Sequence, residues 1–332
     1  MKKIVGILAA AAVAVSAFAV DFSAGIQLKG SLFNYEDGGN ISALSLKSAN
    51  SKDDKPFIFS ISDERAGGQV KIYDKDEGKA ADPKSAMVAS AFNIWFKPFN
   101  GMKIDLGNTD LALNCETVTY WRGKVWGSSD WGYKATYEYD AFSVAVYLDA
   151  GGNWFEKKAA VAVAETALKV AYNADFGNIS FIFDGKDTFD TLIFGLGYKG
   201  SFDALSFFVD AEFTKAATNG IGVDFDVKYS ANGFGIEAYA GMITTDLTNF
   251  TNTMRLPVFF KASYALNGGS LYAKFVTDDV LHVTQYAVAN YRPSQIEAGY
   301  DGNLGCISYN IAAVYDLTAK GFSVPFWVRL GF

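Results

Sequence analysis

The chain contains one histidine, two cysteines and, past residue 20, no run of 18 apolar residues. Each scarcity excludes something. Hydrolytic chemistry that leans on an imidazole base has one candidate, His282 in VLHVTQYAVANY, and no G-x-S-x-G, His-Glu-x-x-His or P-loop pattern accompanies it. Cys115 and Cys306 are no disulfide framework; a single bridge in an oxidising compartment is the most they allow. Without a long apolar run there is no transmembrane helix. The chain also lacks a basic surplus: 29 Lys and Arg stand against 36 Asp and Glu. Nucleic acid is therefore excluded as a partner, because phosphate binding needs a basic face. Nothing in the sequence calls for a cofactor or a catalytic or metal-binding residue set.

What is present is apolar and aromatic. Half of the residues are hydrophobic, 16% are aromatic and 32 are glycine. The first stretch, MKKIVGILAAAAVAVSAFAVDF, has two lysines, an apolar run from Ile4 to Val15 and small residues at Ala17 and Ala19. This is the layout of a secretory signal peptide spanning residues 1–19, with cleavage after Ala19. Its removal takes away Lys2 and Lys3 and leaves a net charge of about −9. The mature chain, residues 20–332, is read as one domain working beyond the inner membrane.

Along that domain the period is two. In GVDFDVKYS, Val223, Phe225, Val227 and Tyr229 alternate with Asp224, Asp226, Lys228 and Ser230, so opposite faces of one strand carry opposite chemistry. TLIFGLGYK, LSFFVDAEFT, FGIEAYAGM, WGYKATYEY, FSVAVYLDA, SQIEAGYDG and CISYNIAAVYD repeat the rhythm. A soluble sandwich also alternates. Segment lengths of about 9–11 residues instead match a tilted strand crossing a bilayer. Rings at segment ends, such as Tyr133, Tyr139, Tyr198, Tyr229, Tyr300 and Tyr315, match aromatic girdles. No open sheet edge survives in lipid, so the sheet must close. The fold class is all-β: a transmembrane antiparallel up-and-down β-barrel.

Turn chemistry sets the register. Asn232-Gly233 signals a type I′ hairpin, pairing Tyr229 with Ile236 and Lys228 with Glu237. Asp140-Ala141 pairs Tyr139 with Phe142 and Tyr137 with Val144. Both keep one face apolar, as register must where a face leaves water. The strand list runs from 22–33, 55–62 and 69–74 to 294–301, 305–315 and 322–332, about 18 strands. Sixteen is the alternative, because 55–62 and 69–74 are short. Long connections follow strands 1, 3, 5, 7, 13 and 15. Even strands end in short turns (DERAGG, PFNG, DA, DFG, GSFD, NG, LNGG, DGN), which gives one long-loop and one short-turn rim. KKAAVAVAETALKVAY has a helix-like Glu165/Lys169 spacing but is read as loop, then strand over 166–174.

The chain closes on FSVPFWVRLGF, apolar at Phe322, Val324, Phe326, Val328, Leu330 and Phe332. The export signal, the alternating segments and this ending resemble outer-membrane β-barrel proteins of diderm bacteria. In that family the last strand resembles the signal read by the barrel-assembly machinery, which implies that role for Phe322, Phe326, Val328, Leu330 and Phe332. Size and strand count are similar to those of porins. The resemblance is one of pattern and implies a bacterial outer-membrane location, membrane lipid as surroundings and, as for many porins, a homotrimer.

A barrel of 16–18 strands leaves an aqueous lumen. The alternation places Lys134, Glu138, Asp149, Lys199, Asp210, Glu212, Asp224, Asp226, Lys228, Glu237, Lys261, Lys274, Glu297 and Arg329 on its wall. Over the wall positions of the whole strand list, which also include Lys29, Lys71, Lys97, Lys103, Lys169, Asp105, Asp184 and Asp301, acids and bases are equal in number, so the net acidity belongs to turns and loops. The function this favours is a porin-like channel for passive diffusion of small hydrophilic solutes or ions. Residues 108–130, the third long connection, match by position the porin loop that folds inward; Tyr120, Trp121, Arg122, Lys124 and Trp126 are its constriction candidates. Asp210, Glu212, Asp224 and Asp226 on neighbouring strands either are compensated by lysines such as Lys228 or form a cation-selective patch. The rival classes are an adhesin or structural barrel, a hydrophobic-solute transporter and a barrel enzyme.

Overall fold

The computed structural model describes residues 19–23, 25–37, 40–48, 57–74, 87–108, 111, 113–114, 125–126, 132–149, 165–186, 189–283 and 294–331. In chain order the strands are β1 (Ala19–Ser23), β2 (Gly25–Glu36), β3 (Asn40–Ser48), β4 (Phe57–Ser62), β5 (Ala66–Asp74), β6 (Met87–Phe96), β7 (Met102–Gly107), β8 (Leu113–Asn114), β9 (Val125–Trp126), β10 (Gly132–Tyr139), β11 (Phe142–Asp149), β12 (Glu165–Ala174), β13 (Gly177–Lys186), β14 (Thr191–Phe202), β15 (Leu205–Lys215), β16 (Gly220–Ala231), β17 (Phe234–Thr244), β18 (Val258–Leu266), β19 (Gly269–Thr277), β20 (Gln295–Leu304), β21 (Ile307–Asp316) and β22 (Gly321–Gly331). All but β8 and β9 belong to one 20-stranded sheet; those two pair with each other.

The sheet is antiparallel throughout and closes on itself. β22 pairs with β21 on one side and with β2 on the other, from Gly25↔Gly331 to Tyr35↔Phe322. β1 and β2 are one nearly continuous stave, and along its other edge β3 covers Leu28–Glu36 while β4 covers Ala19–Ser23. The twenty strands therefore make eighteen staves, because β1 with β2 and β3 with β4 each share one. Closing the ring of staves removes the two free ends of the sheet, which is the condition for a sheet surrounded by hydrocarbon.

The face pattern follows the sequence alternation. A sheet rolled into a closed barrel crowds its concave face and spreads its convex one. Phe225 is 46% exposed, whereas Asp224 and Asp226 on either side of it are buried at 1% and 4%. Val144, Leu148, Val170, Phe181, Leu196, Val209, Phe260 and Ile311 share the exposed, convex face. Rings mark both ends of that face. Near the short turns lie Phe142 against Tyr172 at 4.7 Å, Tyr198 against Phe207 at 5.7 Å and Tyr300 against Tyr309 at 5.9 Å. Near the opposite rim lie Phe183 against Phe194 at 5.4 Å and Phe33 against Phe322 at 6.2 Å. Two belts flanking an apolar band fit the headgroup levels of a bilayer.

The hairpin registers match the turn chemistry. Asn232 and Gly233 sit at φ 52° and 80°, the left-handed pair of a type I′ turn. Tyr229 then faces Ile236 and Lys228 faces Glu237. Asp140, at φ 52°, turns β10 into β11 so that Tyr139 meets Phe142 and Tyr137 meets Val144. In the turn between β4 and β5, the Asp63 carboxylate accepts the backbone N–H groups of Arg65 and Ala66, both at 2.7 Å, which holds its pKa below the usual value. Gly233→Val forces a β-branched residue to a positive φ, at a cost of about 1–2 kcal/mol. Denaturant unfolding from lipid vesicles should register that loss, with the β16–β17 amides exchanging first.

Several expectations need correction. The sequence places the first strand at 22–33, with a long connection after it; β1–β2 instead runs from Ala19 to Glu36, and β3 begins only four residues later, at Asn40. β3 escapes a period-two reading because its apolar positions, 41 and 43, then 44 and 46, change phase midway. That slip lies beside the stretch of β2, Ser31 to Asn34, where the register with β22 shifts. The shift has a cause: Pro325, opposite Ser31, has no N–H to give the ladder. The Ser31 hydroxyl turns to the Phe33 carbonyl and to Asn34 Oδ1, each at 2.8 Å. The last short turn falls at Gly305-Cys306 rather than at 301–303, because Asp301 pairs inward with Asn310 and carries β20 on to Leu304. The 166–174 stretch is strand, starting at Glu165. Cys306 is a free, exposed thiol; Cys115 and Phe332 lie outside the described residues.

Candidate functional site

The concave wall is polar because every second residue on each strand projects inward. Its carboxylates sit low, against the sheet, and its lysines stand above them. Lys103 Nζ reaches Asp105 at 2.8 Å, and Asn93 donates to the same carboxylate oxygen at 3.3 Å. Lys228 spans Asp226 at 3.4 Å and Glu237 at 2.9 Å. Lys274 meets Glu297 at 2.7 Å. In the first two clusters the ammonium end is open while the carboxylate is covered: side-chain exposure is 41% for Lys103 against 1% for Asp105, and 43% for Lys228 against 6% for Asp226. Long stems carry the charge from the wall into open space. A bare carboxylate pressed on the sheet would be costly; the paired ammonium and the neighbouring amide reduce that cost.

The other wall residues fall into place along the same ladders. Lys134 faces Asp105 across β10 and β7. Glu138 faces Ser143, and buried Asp149 faces Gly132, where the glycine leaves room for the Tyr147 ring. Lys199 lies opposite Asn178 and Phe208. Glu212 accepts a hydrogen bond from Thr214 at 3.2 Å. Arg329 faces Gln27 and Ser308.

Asp210 and Asp224 are direct cross-strand partners, both buried. Like charges placed so repel. Of the four carboxylates for which lysines such as Lys228 were the expected compensation, Lys228 holds Asp226, together with Glu237, while Asp224 accepts a hydrogen bond from the Tyr239 hydroxyl at 2.5 Å. Gly241 makes room for this contact, since a Cβ there would lie 2.6 Å from the Tyr239 hydroxyl. Among the described residues no cluster of three or more His, Cys, Asp or Glu side chains is arranged to hold a metal ion.

The sequence reading missed Glu165 and Lys186 as members of this wall. They are direct partners on β12 and β13, and Lys186 Nζ lies 3.4 Å from Glu165 and 3.5 Å from Asp184. Both fell outside strands drawn one or two residues too short. His282 also has a place. Its Nδ1 lies 2.7 Å from Asp279, whose other oxygen caps the short turn 280–282 through the Leu281 N–H and also receives the Leu256 N–H. Here the Asp279 carboxylate, with the imidazole against it, links two connections.

One connection enters the barrel. Leu111 and Leu113, just past β7, are 1% and 4% exposed. They pack on Ala145 and Tyr147 of β11, Ala167 of β12 and Ile182 of β13, with Ile193 of β14 beside them. All five are inward-facing positions, so the connection lies against the inner wall. β8 and β9 continue it as a two-rung ladder, Leu113↔Trp126 and Asn114↔Val125. Tyr120, Trp121, Arg122 and Lys124 lie outside the described residues, as does the side chain of Trp126. The signal for this seat was in the sequence: inner positions 145, 147, 167, 182 and 193 are apolar where neighbouring staves are polar.

Comparisons with known proteins fit this architecture. No family model and no curated protein sequence matches the chain. Among solved structures, a Rhodopseudomonas blastica porin variant superposes with TM-score 0.51 at 15% identity, covering 95% of this chain and all of that one. A second variant of the same porin gives TM-score 0.52 at 14% identity over the same shares. A structure described as "Asymmetric conductivity of engineered proteins" gives TM-score 0.50 at 14% identity. The chain has the porin-like β-barrel fold.

Proposed function

We propose that the chain is an outer-membrane channel passing small hydrophilic solutes and ions by passive diffusion. The observation that carries this reading is the closed eighteen-stave barrel, apolar and aromatic on its convex face and lined inside by paired charges whose ammonium ends are open. A lumen that keeps Lys103 and Lys228 accessible is one that water can occupy. Export follows from a signal peptide over 1–19. Insertion uses the outward, alternating face of β22, with Phe322, Phe326, Val328, Leu330 and Phe332 offered to the assembly machinery. The inward connection after β7 narrows the path, and Tyr120, Trp121, Arg122, Lys124 and Trp126 are its constricting side chains. The functional form is a homotrimer in lipid.

Planar-bilayer recording tests the reading. Pure folded protein should open stepwise, ohmic channels in KCl; a folded protein that opens none overturns it. Asp224→Asn together with Asp226→Asn should lower the cation-to-anion permeability ratio by about twofold, because two fixed negative charges leave the wall. A reversal potential unchanged in a salt gradient would remove these residues from selectivity. Retained glucose uptake in liposome swelling would separate a diffusion channel from a purely structural barrel.

A further inference from the structure

One row of inward residues crosses five neighbouring strands: Lys228, Glu237, Lys261, Lys274 and Glu297, each directly opposite the next. Charges pair at both ends of the row. Lys228 holds Glu237 at 2.9 Å and Lys274 holds Glu297 at 2.7 Å. Lys261 stands between, facing a carboxylate already taken and a lysine of its own sign. Its ammonium lies 5.1 Å from the centre of the Tyr272 ring. Lys274 lies 5.7 Å from the same ring. A ring face attracts cations but does not neutralise them, and two lysines placed directly opposite repel. Among the described residues Lys261 makes no ion pair, so the middle of the row presents an ammonium without a carboxylate of its own.

That charge borders a hollow of about 470 Å³, a size suited to a small molecule. The polar groups around it are held in position. Tyr272 donates to Glu297 at 2.5 Å, and the Asn310 amide donates to the Tyr272 hydroxyl and to Asp301, each at 2.8 Å. Asp301 offers its other oxygen as an acceptor. Trp327, opposite Asn310, adds a flat apolar surface to the lining. A cation, a fixed carboxylate acceptor and an indole converge here. A polyanion such as phosphate would be repelled by Glu237, Glu297 and Asp301. A neutral sugar would leave the Lys261 charge unused. A single carboxylate on a hydroxylated ring uses all three features.

We propose that this hollow is a binding subsite for a sugar acid. Lys261 takes the carboxylate, Asp301 accepts a ring hydroxyl and Trp327 lies against the ring's C–H face. The subsite rests on the channel reading, since its ligand enters from the water-filled interior. A charge-assisted hydrogen bond to a carboxylate is among the stronger polar contacts.

Glucuronate is the probe, and glucose is its neutral control. In planar bilayers glucuronate should interrupt the KCl current of wild-type channels at concentrations where glucose does not. Lys261→Gln should raise the half-blocking concentration about tenfold, with each variant's block scaled to its own open-channel KCl current. Lys261→Arg should restore the block. An equal half-blocking concentration in wild type and Lys261→Gln overturns the subsite and leaves the channel standing. Should no channel open, the channel reading fails, and calorimetric titration of glucuronate into the folded protein in detergent decides the subsite. Binding lost in Lys261→Gln and kept in Lys261→Arg supports it; no binding to the wild type, or binding unaffected by Lys261→Gln, refutes it.

Discussion

Replacing Leu111 and Leu113 together by aspartate is expected to raise single-channel conductance about twofold while leaving the barrel folded. The two leucines are the buried anchors that hold the connection after β7 against Ala145, Tyr147, Ala167 and Ile182. Truncating one buried leucine to alanine typically costs about 2–5 kcal/mol. Two charged replacements add the cost of placing carboxylates against an apolar seat that already has Asp149 and Asp184 buried on the same staves. The connection should therefore leave its seat, and water should fill the space it occupied. Among the described residues of this connection, β8 and β9 pair with each other and with no strand of the main sheet, so thermal unfolding should move little. The measurement is paired conductance and unfolding on one preparation. Unchanged conductance from a folded variant would show that the segment lies against the wall without narrowing the path.

The second large effect concerns the convex face. Phe225→Lys should lower the free energy of folding into lipid vesicles by about 2–4 kcal/mol, the cost of a basic residue near the bilayer midplane. Phe225 is central in β16, between Val209 and Ala240 on the flanking staves, and it is 46% exposed in the isolated chain. Exposure of that size on an apolar ring makes sense where hydrocarbon is the solvent. The readout is equilibrium denaturation from vesicles, supported by the heat-dependent gel mobility of folded barrels. A loss below about 1 kcal/mol would mean that Phe225 does not face lipid, and the assignment of inside and outside would fall with it.

Strands that alternate cleanly were legible from the sequence: β10, β11 and β13–β17 came within a few residues, and the Asn232-Gly233 register was exact to the pair Lys228↔Glu237. Their outward positions stay apolar along most of each strand, so the period carries the answer. β3 was not legible, because NISALSLKS changes phase midway and its partner β2 shifts register opposite Pro325. A period-two reading has no way to register a slip on a strand whose partner is distant in sequence. Likewise the wall residues Glu165 and Lys186 were lost to strand ends, where propensity is weakest and the cross-strand ion pair itself extends the ladder.

By itself the sequence determined that greasy and polar residues alternate in segments long enough to cross a bilayer, and hence that the sheet must close, because unpaired edges are intolerable in hydrocarbon. Local chemistry also set the tight turns. Only the tertiary structure decided which charges meet. That Asp210 faces Asp224, and that Lys261 faces Lys274, depends on the stagger between staves, which no single strand encodes. It likewise decided that the connection after β7 turns inward. That choice is made by an apolar seat assembled from four neighbouring staves, β11 to β14, and the seat exists only once those strands have paired in register.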